Sequence, residues 1–369
     1  MDHISLVFHA QNTVRLEQCS KPVGADGQLL VRNAFSMISP GTELSLFTGA
    51  HVGFSDPEIT WARYPLEPGY AAVGRVEEGT ESFAAGGQRP RKGDWLLHYG
   101  THSNRTVLDP ERQLWVPLSQ HEVSDFSDES DPDTLMPYLL VRFAQIAATA
   151  VLAQVRPPEN VLVFGAGIVG NLCAQLFSRV AGVKNVLLVD LSPRRLAIAR
   201  SCGIAHAVVP DDLDDLLAEL RIDVDTVVEA TGSPVVVQTA LTRVAVGGQV
   251  LLLGSTKGEV DLNVYKLIHR KLVSLVGCHE SLLPVTAGGM IRRPIWEPTD
   301  TAIPAWLRAR SHQEMASALT DCMRNGELIA KPFIQRIVNP GDAQAVYEQL
   351  RDDPDEYLGV VLDWRAAER

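Results

Sequence analysis

The sequence has no pair of cysteines at the spacing of a metal or redox site. Its five cysteines are odd in number and scattered, at positions 19, 173, 202, 278 and 322. This distribution fits reduced thiols rather than a disulfide framework. The cysteines at 173, 202 and 322 are interpreted as small core residues.

Positive charge and long apolar runs are also scarce. The formal net charge of −12 argues against a nucleic-acid or anionic-membrane partner, because either would need a basic face. The N-terminus lacks a basic start followed by an apolar stretch. No run approaches the ~18 apolar residues of a membrane span. We therefore expect a cytoplasmic protein that acts on a small molecule.

The length and composition are those of a folded protein with more than one core. At 369 residues, two domains are the starting expectation, and 46% hydrophobic residues supply enough apolar material for both. The first half is rich in glycine and proline between short alternating strands, notably over 34–110. An acidic, serine-rich surface loop is expected at 122–133, and an irregular lid or connection at 281–308.

The stretch from Glu159 to Asp190 is the strongest signal in the chain. Val161 to Phe164 form a continuous apolar run, which is typical of a parallel strand buried on both faces. The turn Gly165-Ala166-Gly167-Ile168-Val169-Gly170 follows at once, and Val186 to Val189 give a second strand. Strand, glycine turn, helix and strand in this order predict a dinucleotide-binding βαβ unit.

Each glycine in this turn has a distinct expected role. Gly165 permits the tight turn, Gly167 lets a pyrophosphate approach the backbone, and Gly170 lets the helix pack closely on the strand. Ile168 and Val169 begin the helix, whose unpaired N–H groups would bind the phosphates.

Asp190 ends the second strand, 20 residues after Gly170. An acid at this place accepts hydrogen bonds from the ribose hydroxyls of NAD and repels the 2′-phosphate of NADP. The sequence therefore predicts NAD as the cofactor, with NADP disfavoured.

After Asp190, short apolar strands alternate with helical segments, which predicts a doubly wound parallel sheet. The order of a β-rich domain, a Lys92-Gly93-Asp94-Trp95 strand, a helix, the Gly165–Gly170 turn and a returning C-terminal segment resembles the medium-chain dehydrogenase/reductase superfamily. This resemblance covers nearly the whole chain. It implies an α/β fold with a GroES-like catalytic domain over 1–153 and 305–369 and a Rossmann domain over 154–304. It also implies a homodimer.

The chain departs from the zinc-binding members of that superfamily. Pro40 in Ser39-Pro40-Gly41-Thr42-Glu43 stands in place of the first catalytic ligand, Tyr70 in place of the second, and Leu140 near the third. Proline and leucine cannot bind zinc, so no catalytic zinc is expected. These stretches, with the one from Arg270 to Glu280, look like the zinc-less branch that includes bacteriochlorophyllide-type hydroxyethyl dehydrogenases.

The resemblance carries further cofactor contacts onto this sequence. Asp190 matches the ribose-binding acid and Arg195 the basic residue beside the adenosine. Thr231 lies in the loop after the fourth strand of the domain, and Gly254 and Ser255 form the turn whose backbone would hold the carboxamide.

Without zinc, a proton donor or oriented hydrogen bonds must meet the charge that develops on the substrate oxygen. The resemblance places Thr42 where relatives keep a proton-relaying hydroxyl, and a phenol at Tyr70 could protonate a carbonyl. His279 follows the last Rossmann strand and has a pKa suited to acid–base work. Glu43 could orient a donor. The alternatives stay open: Thr42 as a turn residue, Tyr70 as a space filler, His279 in structural hydrogen bonds, and Glu43 paired with a cation.

Two histidines, His98 and His102, have the spacing of a helical metal pair. They lie among Gly100, Ser103 and Asn104, so we expect a loop there and no metal site.

Three functions are compatible with these observations. The first is a zinc-independent NAD(H)-dependent dehydrogenase or ketoreductase acting on a secondary alcohol or ketone of a sugar, cyclitol or specialised metabolite. The second is a quinone- or enoyl-type reductase of activated C=C bonds, in which the conjugated substrate spreads the charge. The third is a nucleotide-binding protein without turnover.

Overall fold

The structure is a computed structural model that describes residues 3–79, 90–118, 132–286 and 308–366. Most of the acidic segment at 122–133 and most of the expected lid at 281–308 lie outside these residues. The chain divides into two compact units, residues 1–142 with 333–369 and residues 143–332. They are called the β-rich unit and the nucleotide unit below.

The elements follow in chain order. The strands are β1 (His3–Ala10), β2 (Thr13–Cys19), β3 (Leu29–Met37), β4 (Ala72–Glu78), β5 (Trp95–His98), β6 (Arg105–Leu108), β7 (Trp115–Leu118), β8 (Asn160–Phe164), β9 (Asn185–Val189), β10 (His206–Val208), β11 (Thr226–Glu229), β12 (Gln249–Leu252), β13 (Ser274–Gly277), β14 (Ile334–Val338) and β15 (Gly359–Asp363). The helices are α1 (Pro40–Phe47), α2 (Pro132–Leu135), α3 (Leu140–Ala153), α4 (Ile168–Gln175), α5 (Pro193–Ser201), α6 (Leu213–Leu220), α7 (Pro234–Arg243), α8 (His312–Arg324) and α9 (Ala343–Asp352).

The boundaries of the units differ from the expected ones at 153/154 and 304/305. Most of α3 belongs to the nucleotide unit, where the buried Gln145 donates to the backbone oxygen of His312 at 2.8 Å. The segment after α8 belongs there too, because Ile329 donates to Gln175 at 2.8 Å and accepts from it at 3.1 Å. The contacts of α3 and α8 therefore move both boundaries.

The β-rich unit is built on a mixed sheet in the order β14-β15-β3-β4-β5-β7, with β6 also paired to β3. Strands β1 and β2 form a separate antiparallel hairpin. The main hydrophobic core of the β-rich unit contains Phe8, Phe47, Tyr347 and Trp364, all fully buried. The Phe47 and Tyr347 rings stack with centroids 5.3 Å apart.

Helix α1 was not expected, since the sequence from 34 to 110 shows little helical periodicity. Pro40 opens the helix at its first position, where the fixed φ of proline is favourable. Leu46 and Phe47 on its last turn are buried in the aromatic core. Tertiary packing, rather than local pattern, forms this helix.

The nucleotide unit contains a parallel sheet in the order β10-β9-β8-β11-β12-β13. Helices α4, α5, α6 and α7 alternate with these strands, as in the predicted doubly wound fold. The strand order reverses between β8 and β11, and ligands of such sheets bind beyond the carboxyl ends at this switch point. The expected α/β fold with a Rossmann sheet is confirmed.

One helical stretch among the described residues, Asp133–Ala153, is long and apolar enough to cross a membrane by length and composition alone. Its most apolar window is 89% buried inside the protein. Such burial is the pattern of a core helix.

Candidate functional site

The glycine turn after β8 has the geometry expected of a phosphate-binding turn. Gly165 has a φ of +101°, and a Cβ on it would lie 3.0 Å from Cγ2 of Thr231. A Cβ on Gly170 would lie 1.9 Å from the oxygen of Gly165, so only glycine fits there. Gly167 has no atom within 4 Å of its Cβ position, directly before the helix start at Ile168 and Val169. The open place therefore lies where a pyrophosphate would approach the helix N-terminus.

Asp190 supports this turn from the neighbouring strand. Its carboxylate accepts the N–H of Ala166 at 2.6 Å and the N–H of Ser192 at 2.8 Å. Ser192 in turn caps α5 by accepting the N–H of Arg195 at 3.4 Å. A carboxylate has about four lone-pair sites, so Asp190 can brace the turn and still accept from a ribose hydroxyl.

Glu229 at the end of β11 was missed by sequence reasoning. Its side chain is buried, and Oε1 accepts the N–H groups of Thr231 at 2.7 Å and Gly232 at 3.0 Å as well as the Thr231 hydroxyl. Its backbone oxygen accepts from Gly254 at 2.7 Å. The signal available in the sequence is an acid that closes an otherwise apolar buried strand.

The two cofactor loops that Glu229 holds also touch each other. Gly232 has a φ of +71°, and a Cβ on it would lie 2.7 Å from the oxygen of Ser255. A Cβ on Gly254 would lie 2.4 Å from the nitrogen of Gly232. The structure thus brings Thr231, Gly254 and Ser255 together beside Gly165 at the switch point.

His279 is exposed, and its side chain is hydrogen-bonded to Ser281, two residues further along the chain. Its Nδ1 accepts the N–H of Ser281 at 3.1 Å and lies 3.0 Å from the Ser281 hydroxyl. It thereby caps the helical turn Glu280–Leu282. These contacts match the structural alternative for His279, and a catalytic role stays a prediction.

In the β-rich unit, three hydroxyl groups meet at the start of α1. The Ser39 and Tyr70 hydroxyls are hydrogen-bonded to each other, and the Thr42 side chain also bonds Tyr70. The structure therefore joins two of the predicted catalytic residues, Thr42 and Tyr70, and adds Ser39. Burial raises the pKa of Tyr70, while the bonds from Ser39 and Thr42 and the charge of Arg142 lower it.

Glu43 lies behind this hydroxyl cluster and is buried. Its Oε1 accepts the N–H of Ser39 at 2.8 Å. Its Oε2 accepts from Nε2 of His102 at 2.9 Å and from the Tyr347 hydroxyl. Three groups of the protein therefore bond the carboxylate, an arrangement in which Glu43 supports the hydroxyl cluster. Burial and the Glu43 charge raise the pKa of Tyr347 well above its ordinary value.

The two candidate metal histidines have different surroundings. His98 is the last residue of β5, not a loop residue, and its Nε2 lies 2.9 Å from Oδ1 of Asn33. Burial lowers the pKa of His98 to about 4. His102 lies between Glu43 and Ser36, with its Nδ1 2.8 Å from the serine hydroxyl. Both histidines therefore support the structure.

Comparison with known proteins agrees with this architecture. Residues 169–287 match the family model described as zinc-binding dehydrogenase. The L-threonine 3-dehydrogenase of Escherichia fergusonii is 34% identical over 118 residues, which are 31% of this chain and 34% of that protein. The match therefore spans about a third of that relative.

Two solved structures are similar over almost the full length. A short chain alcohol dehydrogenase from E. coli CFT073, complexed with NADH, has a TM-score of 0.71 at 16% identity and covers 98% of this chain and 99% of its own. Galactitol-1-phosphate dehydrogenase from Escherichia coli has a TM-score of 0.70 at 16% identity with the same coverage. The chain has the fold of the medium-chain dehydrogenases. The family model matches about a third of the chain, within the nucleotide unit.

The zinc site of medium-chain dehydrogenases does not fit the residues of this chain. Pro40 has no ligating side-chain atom, Leu140 is a hydrocarbon, and the Tyr70 hydroxyl is bonded to Ser39. Among the described residues, no three His, Cys, Asp or Glu side chains form a group that could hold a metal ion. The side chains at these three positions lack the thiolate, imidazole and carboxylate groups that bind zinc.

The nucleotide site of this dehydrogenase fold does fit a dinucleotide. An open glycine before α4, an acid at the end of β9 and two glycine loops lie at one switch point. These groups would hold the pyrophosphate, the adenosine ribose and the nicotinamide end, respectively.

Proposed function

We propose that this chain is a zinc-independent NAD(H)-dependent dehydrogenase or ketoreductase that acts on a secondary alcohol or ketone. The observation that carries the proposal is the hydroxyl cluster of Ser39, Thr42 and Tyr70, in which Tyr70 stands at the position that the resemblance gives to the second zinc ligand. It offers oxygen donors to a substrate oxygen instead of a Lewis acid. A sugar, cyclitol or specialised metabolite is the proposed substrate class.

The chemistry requires that charge on the substrate oxygen be met by a proton. When bound, NAD(H) supplies or accepts the hydride. In the reducing direction, the Tyr70 hydroxyl donates its proton to the carbonyl oxygen as negative charge develops there. Thr42 and Ser39 stay hydrogen-bonded to the phenol oxygen and stabilise it after the transfer. In the oxidising direction, the same groups receive the proton.

The cofactor choice is proposed from Asp190. Its charge at the end of β9 would repel a 2′-phosphate and accept from free ribose hydroxyls. The bonds to Ala166 and Ser192 fix the carboxylate in this position.

The second candidate function is reduction of activated C=C bonds. The lack of metal ligands at Pro40 and Leu140 favours it as much as the first, because a conjugated substrate spreads its own charge. The hydroxyl cluster favours the first candidate, since a phenol can donate a proton to a substrate oxygen. A nucleotide-binding protein without turnover is the third candidate.

The test is a substrate screen that follows NADH absorbance across ketones, polyols and enones, with the zinc content of the same sample measured. Turnover of ketones or polyols by protein with far less than one zinc per chain supports the proposal. Turnover of enones alone assigns the second candidate, and NADH binding without turnover of any class assigns the third. Activity that tracks bound zinc contradicts zinc independence.

A homodimer formed through β13 is proposed as the quaternary state. β13 is the last strand in the order of its sheet among the described residues. Leu275 on this strand is 37% exposed and the preceding Leu272 is 70% exposed. Paired edges would cover these side chains. Sedimentation of the wild type and of Leu275→Lys tests the pairing, and a monomeric wild type contradicts it.

A further inference from the structure

Ser39 occupies the N-cap position of α1, but its hydroxyl does not cap the helix. Serine at this position ordinarily accepts an N–H of the first turn. Here no such bond forms, and the hydroxyl is hydrogen-bonded to Tyr70 instead. Oε1 of Glu43 accepts the Ser39 N–H at 2.8 Å and so fixes the serine backbone. The Ser39 hydroxyl therefore bonds the phenol of Tyr70 instead of capping α1, and the buried Glu43 carboxylate fixes the backbone that carries this hydroxyl.

Arg142 approaches the same phenol from its ring face. Its Cζ lies 4.9 Å from the centroid of the Tyr70 ring and 4.3 Å from that of Tyr99. The side chain is only 5% exposed, so its charge is poorly screened by water. A cation at this distance favours the ionised form of a neighbouring phenol.

The residue that precedes Tyr70 is closely packed. Gly69 has a φ of +101°, and a Cβ on it would lie 2.7 Å from the nitrogen of His102. The residue before Tyr70 is therefore restricted to glycine by both conformation and contact. The ring and the hydroxyl of Tyr70 thus each have a partner, Arg142 and Ser39.

We infer that Ser39 and Arg142 are positioning residues for Tyr70, in which Ser39 orients the phenol hydroxyl and Arg142 stabilises the phenolate left by proton donation. The three residues are called the Ser–Tyr–Arg unit. The inference rests on the proposed function, in which Tyr70 is the proton donor. One O–H bond breaks on Tyr70 and one forms on the substrate oxygen, and water returns the proton to the phenolate.

The groups that face Tyr70 act on its pKa in both directions. Burial and the Glu43 carboxylate raise it, while Ser39, Arg142 and Thr42 lower it. The Glu43 charge is shared with His102 and Tyr347 by hydrogen bonds. Loss of Arg142 or of the Ser39 hydroxyl should therefore leave burial unopposed and raise the pKa of Tyr70.

The test replaces Tyr70 with 3,5-difluorotyrosine, whose fluorines lower the phenol pKa into an accessible range and give one ¹⁹F resonance to titrate. Arg142→Gln should raise the pKa of this phenol by about one unit or more, and Arg142→Lys should restore most of the shift. Ser39→Ala should raise it less, and Ser39→Thr should restore it. A shift below about 0.3 units in both Arg142→Gln and Ser39→Ala overturns the inference.

Matched controls exist in the same unit. Arg365 lies over the Phe35 ring at 4.4 Å, so Arg365→Gln removes an equivalent cation from a ring without a hydroxyl. Ser103→Ala removes a buried serine hydroxyl that donates to the Arg105 oxygen at 2.8 Å. Neither should move the Tyr70 titration. If Arg142→Gln fails to fold, Arg142→Met takes its place beside Ser39→Ala, and both should raise the pKa of the phenol.

The readout separates this inference from the proposed function. A shifted titration without turnover of any ketone or alcohol keeps the Ser–Tyr–Arg unit and refutes the function. Ketone turnover that depends on Tyr70, with a pH profile of kcat unchanged in Arg142→Gln and Ser39→Ala, keeps the function and refutes the inference.

Discussion

Nε2 of His102 lies 2.9 Å from Oε2 of Glu43, and both side chains are buried. The pair stands directly behind Ser39, whose N–H binds the other carboxylate oxygen. Since a buried carboxylate without its partners is costly, this pair stabilises the β-rich unit as well as the start of α1.

We expect Glu43→Ala to lower the free energy of unfolding by about 3 kcal/mol or more, because it leaves the buried Ser39 N–H, His102 Nε2–H and Tyr347 hydroxyl without their acceptor. Urea denaturation measures this loss. Glu17→Ala is the control, because Glu17 also pairs with a histidine, His9, at 2.9 Å but is 43% exposed. The control should change stability by less than about 1 kcal/mol. Equal losses of stability in Glu43→Ala and Glu17→Ala would contradict a stabilising role for the buried Glu43 carboxylate.

His98 should make stability depend on pH. Burial lowers its pKa to about 4 in the folded protein from an ordinary value of 6.5. Below pH 6.5, His98 binds a proton in the unfolded chain, whereas in the folded protein it stays neutral until the pH approaches about 4. Its contribution is therefore complete above pH 6.5 and lost as pH falls towards 4, by about 3 kcal/mol in total.

Comparison of wild type with His98→Gln isolates this effect, since glutamine keeps a donor for Asn33. Urea denaturation between pH 7 and pH 4.5 should show a shallower loss of stability in the variant. Parallel curves for the two proteins would mean that His98 titrates normally.

Asp190 is expected to control both cofactor affinity and cofactor choice. Asp190→Ala should raise the Kd for NADH about tenfold or more, because it removes the bonds that brace Ala166 and Ser192. It should also narrow the preference for NADH over NADPH. Asp190→Asn keeps one acceptor oxygen, so it should narrow the preference with a smaller loss of NADH affinity. Fluorescence titration with both cofactors checks these values, and a parent that prefers NADPH refutes the assignment.

Substitution of Glu229 should weaken cofactor binding although the residues of the cofactor loops stay unchanged. Glu229→Gln replaces one carboxylate oxygen by an amide donor that would face the N–H groups of Thr231 and Gly232. A cost of about 1–3 kcal/mol is expected in stability, with a raised Kd for NADH. Glu219→Gln, an exposed acid on α6, serves as the control. An unchanged Kd in Glu229→Gln would show that the loops hold themselves.

The nucleotide unit could be predicted because its information is local. The apolar run of β8, the glycines at 165, 167 and 170 and the acid at 190 lie within one short stretch and impose their geometry on each other. The structure has the expected turn, including Gly170, where a Cβ would lie 1.9 Å from the backbone oxygen of Gly165.

The β-rich unit could not be predicted in the same way because its contacts are distant in sequence. Glu43 and Tyr347 are 304 residues apart, and Ser39 and Tyr70 are 31 apart. No local pattern indicates that Ser39 leaves its helix cap for a phenol. Helix α1 was missed for the same reason, since burial of Phe47 among distant aromatic rings forms it.

In the proposed function, Tyr70 donates a proton to a substrate oxygen without the help of zinc. The most direct measurement is the single-turnover rate of NADH oxidation by a ketone in wild type, Tyr70→Phe and Thr42→Val, with NADH affinity measured in each. We expect a rate about 10²–10⁴-fold lower in Tyr70→Phe, a smaller loss in Thr42→Val and unchanged NADH affinity. A Tyr70→Phe rate within about threefold of wild type would contradict it.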